Sequence, residues 1–161
     1  MTIEELLARE EIKELRAAYS HYVDGHELDK LVELFTDDAV LEFPEAHGGA
    51  WVGKDQIRAR YEAAMPVIGE PFDSMHVTTN PYIVLDGPDT AHGRWYLLDL
   101  LARQMHLPTA ALATPGGHNN PLMYLAMYED QYRKISGAWR IAGFTLHVFW
   151  PARQYEALRF P

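Results

Sequence analysis

The chain has 161 residues, 48% of them hydrophobic, a formal net charge of −9 and no cysteine. That apolar content supports a packed core, and the acidic balance without a basic run argues against nucleic acid and anionic membranes as partners. The missing cysteines rule out disulfides, thiolate-bound zinc and a thiol nucleophile.

Thr2 followed by Glu5 has the spacing of a capping box, and the apolar positions from Leu6 through Val23 predict one long helix ended by Gly25. Leu28, Leu31, Val32 and Phe35 predict a second helix. Thr36-Asp37-Asp38 breaks that pattern, and Ala39 to Phe43 reads as a short strand. Pro44 to Gly49 reads as a loop. Gly53 precedes a third helix with Ile57, Tyr61, Ala64 and Met65 on its apolar face and Pro66 at its end.

From about residue 70 the pattern changes to long runs rich in β-branched and aromatic residues: Asp73 to Leu85, Thr90 to Gln104, Pro121 to Lys134 and Ala138 to Trp150. Asp86-Gly87-Pro88-Asp89 and Ser136-Gly137 are tight turns, so neighbouring strands are expected to be antiparallel. The third connection, His106 to Asn120, is long and carries Pro108, Pro115, Gly116 and Gly117, a composition that suits the mouth of a pocket. The tail Pro151 to Pro161 shows no regular pattern, and there is no internal repeat.

The expected fold class is α+β: one domain over residues 1–161, a cone-shaped, curved, mostly antiparallel sheet covered by about three N-terminal helices. Such a cup leaves a cavity, and its uncovered sheet face leads us to expect a homodimer or homotrimer. No apolar run approaches the roughly 20 residues of a membrane span, and the polar start lacks the regions of a secretory signal, so a cytoplasmic protein without membrane contact is expected.

Tyr19 shares the first helix's apolar stripe with Ile12, Leu15 and Tyr22, and Asp24 closes the helix just before Gly25. A carboxylate there can orient an imidazole and stabilise its protonated form, and His76 in Ser74-Met75-His76 is the candidate partner. Taken singly, each has an ordinary explanation: Asp before Gly is common turn chemistry, and a lone strand histidine is commonly a satisfied core residue. Candidate pocket walls are Phe43, Trp51, Met65, Trp95, Met127, Phe149 and Trp150, although such spacing equally describes plain core. The remaining histidines form neither a His-x-His pair nor HExxH, so no metal site is expected. Alternation places Arg94 and Asp99 on opposite sides of their strand.

The spacing of Ile12, Leu15, Tyr19 and Asp24, then Leu34-Phe35-Thr36-Asp37-Asp38-Ala39, then Tyr132 to Trp139, resembles the SnoaL-like branch of the nuclear transport factor 2-like, cystatin-like cone fold. The resemblance covers nearly the whole chain. Within that branch, Met65-Pro66, Ser74-Met75-His76, Pro81 with Ile83 and Asp86, and Gly93-Arg94-Trp95-Tyr96-Leu97 with Asp99 resemble the bacterial bile acid dehydratases. Scytalone dehydratase and hexachlorocyclohexane dehydrochlorinase share the Asp and His. The resemblance implies a lyase without metal or organic cofactor, acting on a small hydrophobic ring-containing substrate such as a steroid or polyketide-like ring, with Tyr19, Asp24 and His76 catalytic. Where the bile acid enzymes carry an arginine on the last strand, this chain offers His147 in Leu146-His147-Val148-Phe149, which implies a substrate with a different polar or anionic group there, or a different chemistry. An isomerase on the same scaffold and a non-catalytic binding or interaction module are the alternatives.

Overall fold

The computed structural model describes residues 1–101 and 122–150. The expected pocket-mouth loop, His106 to Asn120, and the tail from Pro151 lie outside the described residues.

Helix α1 runs Ile3–Asp24, and its start is the expected capping box: the Thr2 hydroxyl accepts from the Glu5 N–H and the Glu5 carboxylate from the Thr2 N–H. Ile12, Leu15, Arg16, Tyr19, Ser20, Val23 and Asp24 form its buried face. Gly25 follows the helix, but its φ is −82°. The left-handed residue that turns the chain is His26, with φ 55°. Histidine is among the side chains that tolerate this region best.

Helix α2 is short, Leu28–Glu33. Phe35, expected on that helix, instead opens strand β1, Phe35–Glu42, and Thr36-Asp37-Asp38 lie inside the strand rather than before it. The pairing of β1 with the last strand shifts between Phe35 and Val40, so the exposed Asp37 and Asp38 swing outward while Phe35, Ala39 and Leu41 stay in the core. The segment expected as loop contains a 3-10 turn at Glu45–His47, after which strand β2, Ala50–Val52, pairs back on β1. Helix α3, Lys54–Ile68, passes through Pro66 instead of ending there. Pro66 removes one N–H from the last turn, but the helix closes beyond it, with the Gly69 N–H on the Met65 carbonyl at 3.2 Å.

Four long strands follow: β3 Ser74–Leu85, β4 Thr90–Leu101, β5 Leu122–Ile135 and β6 Ala138–Trp150. The sheet order is β2-β1-β6-β5-β4-β3, with every neighbouring pair antiparallel except β1 with β6. Gly143 permits that parallel contact, since a Cβ there would stand 2.5 Å from the Val40 carbonyl oxygen. The result is a mixed α+β fold, a curved, unclosed six-stranded sheet with the N-terminal helices against one face.

The inner face follows strict alternation: Ala91, Trp95 and Leu97 from β4, Ala126, Tyr128 and Tyr132 from β5, and Phe144 and Val148 from β6 are buried against the helices. Withdrawing such a large side chain from water contributes about 1.5–3 kcal/mol each. Helix α1 lies along β3 in the opposite direction and is tied to it at three heights, by Arg9 to the Ile83 carbonyl, Ser20 to Thr78, and Asp24 to His76. No helix among the described residues is long and apolar enough to cross a membrane.

Candidate active site

The lowest of those three ties brings together two residues singled out from sequence. Asp24 Oδ1 lies 2.6 Å from His76 Nδ1, and Asp24 Oδ2 accepts the His76 backbone N–H at 2.9 Å. Asp24 reaches the sheet because it is the last residue of α1, four positions after Ser20 on the same face. With Nδ1 occupied by a carboxylate, the ring's proton belongs there and the Nε2 lone pair is left to act as a base. Burial pulls the His76 pKa down, but the hydrogen bond to Asp24 and the charges of Asp99 and Asp24 outweigh it, so the net shift is upward.

Asp99 is the neighbour that sequence reasoning missed. It pairs with His76 across β3 and β4, and with Tyr124 across β4 and β5, so His76, Asp99 and Tyr124 form one row on the inner face. A sequence signal existed: in Trp95-Tyr96-Leu97-Leu98-Asp99-Leu100-Leu101 the aspartate occupies an alternating position with Trp95, Leu97 and Leu101, all buried. Burial raises the Asp99 pKa, His76 beside it pulls the other way, and Asp24 pushes it further up. At the end of the row the Tyr124 hydroxyl is 2.9 Å from Nε2 of His47, carried by the 3-10 turn.

Tyr19 is brought to the same core but not to the imidazole. Its hydroxyl lies 2.7 Å from that of Tyr61, and its ring meets Phe35, Tyr61, Tyr128 and Phe144 edge-on. Burial raises its pKa well above the ordinary tyrosine value. Beneath it, Arg16 stacks 3.6 Å from the Tyr128 ring centre and 4.4 Å from that of Tyr19. The Arg16 side chain is fully buried and pairs with the equally buried Asp130, 3.6 Å away, which also accepts from the Tyr132 hydroxyl.

Three of the proposed walls join this cluster. Phe43 and Trp51 rings lie 4.4 Å apart, Trp51 meets Tyr61 at 5.2 Å, and Met65 is buried one turn after Tyr61. Trp95 is on the inner face, its indole N–H donating to the Tyr132 hydroxyl at 2.9 Å. Phe149 and Trp150 are half-buried at the end of β6. Met127 and His147, which pair with each other across β5 and β6, alternate with Tyr128 and Val148 and therefore face away from the helices. His147 there meets Glu129 at 3.1 Å, and Glu129 in turn accepts from Arg94. These two residues are therefore not brought to His76, because alternation fixes their face. A groove of about 850 Å³ runs over that outer face past Val40, Arg94, Glu129 and Thr145 and does not include His76. Among the described residues no group of three or more His, Cys, Asp or Glu is placed to hold a metal ion.

The sequence model of the SnoaL-like domain matches residues 4–145 of the chain. Among solved structures, a protein of unknown function with a cystatin-like fold from Nostoc punctiforme is 21% identical, with 90% of this chain and 93% of that one covered and a TM-score of 0.71. A candidate scytalone dehydratase from Novosphingobium aromaticivorans is 17% identical over 98% of this chain and 94% of its own, with a TM-score of 0.73. Hexachlorocyclohexane dehydrochlorinase LinA-type3 from Novosphingobium barchaimii is 16% identical over 99% and 98%, with a TM-score of 0.69.

Proposed function

The chain belongs to the SnoaL-like domain family, and on that premise we propose that it is a cofactor-independent lyase, a dehydratase acting on a polycyclic or aromatic hydroxy-ketone such as a steroid or polyketide-like ring. His76 is the base and Asp24 its orienter. The observation that carries this reading is the double contact of Asp24 with His76, which supports a ring held with Nδ1 on the carboxylate and Nε2 turned to the substrate. The names of two structural neighbours, a dehydratase and a dehydrochlorinase, both denote eliminations, and this analogy favours a lyase over other chemistries of the fold.

In the proposed step Nε2 of His76 takes the proton from the carbon beside the carbonyl. The electrons of that C–H bond form the new double bond, and the hydroxyl leaves as water on receiving the proton now carried by Nε2, which returns the imidazole to its neutral form. Asp24 stabilises the imidazolium formed between the two transfers. Tyr19, joined to the Tyr61 hydroxyl, is the donor for the oxygen that gains charge, and Phe43, Trp51 and Met65 are apolar walls. The chain works as one domain, residues 1–161, in a homodimer or homotrimer. The test is a panel of steroid and aromatic hydroxy-ketones followed by mass spectrometry for loss of water. His76→Gln is expected to lower turnover by about 10²- to 10⁴-fold while circular dichroism shows an intact fold. A folded His76→Gln protein with wild-type turnover removes the base, and a double bond that moves without loss of water makes the protein an isomerase.

A further inference from the structure

Gly25 follows α1 without the left-handed conformation that a glycine there commonly supplies, since its φ is −82°. What it supplies is room: a Cβ on Gly25 would stand 3.3 Å from Cζ of Phe72. Phe72, 59% exposed, has the left-handed φ instead, at 65°. The two residue types are thus the reverse of what the two backbone conformations favour. For a bulky aromatic that region is a genuine outlier, and such conformations persist only where their surroundings hold them, often at functional sites.

Hydrogen bonds of the main chain show what is held. The last carbonyls of a helix have no partner within it, and that of Asp24 accepts the Phe72 N–H at 2.7 Å. The turn around Phe72 is closed on itself, with the Glu70 N–H on the Asp73 carboxylate at 2.9 Å and the Asp73 N–H on the Glu70 carbonyl at 3.0 Å. Further along the same stretch, β3 brings the His76 N–H and ring to the Asp24 carboxylate. β3 is the edge strand on that side of the sheet, so no further strand fixes it there. Asp24 is therefore held at its main-chain oxygen by Phe72 and at both side-chain oxygens by His76. With its N–H fixed on the helix end, the φ of Phe72 sets the direction in which the chain leaves for β3.

We propose that Phe72 is a positioning residue for the Asp24–His76 pair: its ring, laid on Gly25, locks the left-handed turn that delivers His76 to the carboxylate. The proposal rests on the Asp24–His76 reading of the site and assigns a residue that acts through Asp24.

The test is amide hydrogen exchange, followed by NMR on the isotope-labelled full chain, in wild type, Phe72→Ala, Phe72→Gly and Phe72→Tyr. Alanine keeps the unfavourable φ and loses the ring, so the His76 amide of Phe72→Ala is expected to exchange roughly tenfold or more faster than in wild type. The Ile141 amide, bonded to the Leu34 carbonyl between β1 and β6, should be unchanged. Glycine adopts the turn freely, so Phe72→Gly should show the same change by a smaller factor, and Phe72→Tyr, which keeps the ring, should match wild type. The downfield Nδ1–H signal of His76, identified by its absence in His76→Gln, should broaden in the order of the exchange rates. With a substrate in hand, kcat should fall in Phe72→Ala while KM changes little. Wild-type exchange at His76 in Phe72→Ala overturns the proposal. So does faster exchange shared equally by Ile141, or shown equally by Phe72→Tyr, since either would be general destabilisation. If Phe72→Ala fails to fold, as judged by circular dichroism, Phe72→Gly decides by the same criteria. Exchange and the Nδ1–H signal are read without substrate. A His76→Gln protein with undiminished turnover would sink the base assignment and leave this result standing, so the two failures are separable.

Discussion

Asp24 holds His76 at two points, one oxygen on the ring nitrogen at 2.6 Å and the other on the backbone N–H at 2.9 Å. The first contact sets the tautomer and the second fixes the strand that carries the ring, so side chain and backbone are aligned by one carboxylate. Because the His76 pKa is displaced upward from 6.5, the acid limb of the kcat/KM profile should have its midpoint above that value. Asp24→Asn removes a contribution that raises the pKa, so the midpoint should move to lower pH and the plateau should fall strongly. An acid limb that stays in place or moves upward in Asp24→Asn would show that the carboxylate does not act on this ring. The same displacement has a stability sign: the protonated ring favours the folded state. Its contribution is complete below the unfolded pKa and is lost as pH rises through the folded one. Urea midpoints of wild type and His76→Gln should therefore converge above that range.

Tyr19→Phe removes one hydroxyl and keeps the ring contacts with Phe35, Tyr128 and Phe144. The Tyr61 hydroxyl then loses a buried partner, so unfolding free energy should fall by about 1–3 kcal/mol. Turnover should fall by about 10²-fold if Tyr19 supplies the proposed donor. Tyr61→Phe is the control, because it breaks the same bond from the other side. A stability loss in both variants with no loss of turnover would leave the pair purely structural.

Arg16 and Asp130 are both buried, and three guanidinium nitrogens of Arg16 have no hydrogen-bond partner. Arg16→Met strands the Asp130 carboxylate and is expected to cost about 3–5 kcal/mol in urea unfolding. The double variant Arg16→Met/Asp130→Leu should recover most of that loss, since apolar replacements remove the desolvation cost of both charges. A double variant no more stable than Arg16→Met would mean that ring stacking, not the ion pair, sustains this part of the core.

Val77, Leu98 and Leu125 pair across β3, β4 and β5 and are 38%, 36% and 38% exposed on the outer face. An apolar row of this kind suits a self-complementary contact. Sedimentation of the wild type should give a dimer or trimer, and Leu98→Lys should shift it to monomer. A wild type that remains monomeric across the micromolar range would remove the assembly from the functional proposal.

Much of this arrangement was legible in the chain because burial enforces periodicity. Where the described residues reach them, the limits of the four long strands match expectation to within one residue, while the expected ends at Gln104 and Pro121 lie outside those residues; Asp24 announced itself as a carboxylate at the end of an apolar helical stripe. What periodicity does not carry is register between strands. Asp99 could be assigned a side of β4 opposite Arg94, but only pairing shows that His76 and Tyr124 flank it. That His147 and Met127 lie on the face away from His76 was hidden for the same reason, since their face depends on which of two alternating sets meets the helices. Arg16 was readable at four residues from Ile12 and three from Tyr19, yet a charged side chain on an apolar stripe is ordinarily taken to reach for solvent. His47 sits in an irregular segment, where no period constrains it.

The row His76, Asp99, Tyr124 and the row Val77, Leu98, Leu125 occupy adjacent positions on the same three strands, on opposite faces. Point substitution can rewrite either row independently, but a single-residue insertion or deletion within one strand exchanges its contributions, turning an acid outward or a leucine inward. Length changes within these strands are therefore barred where side-chain changes are free. The irregularity between Thr79 and Tyr82, with Asn80 at φ 53°, shows where an extra residue is absorbed, past the end of both rows. Descendants of this sequence, natural or designed, can be expected to vary in length there and at the hairpin turns, while the stretch from Ser74 to Thr78 keeps its count.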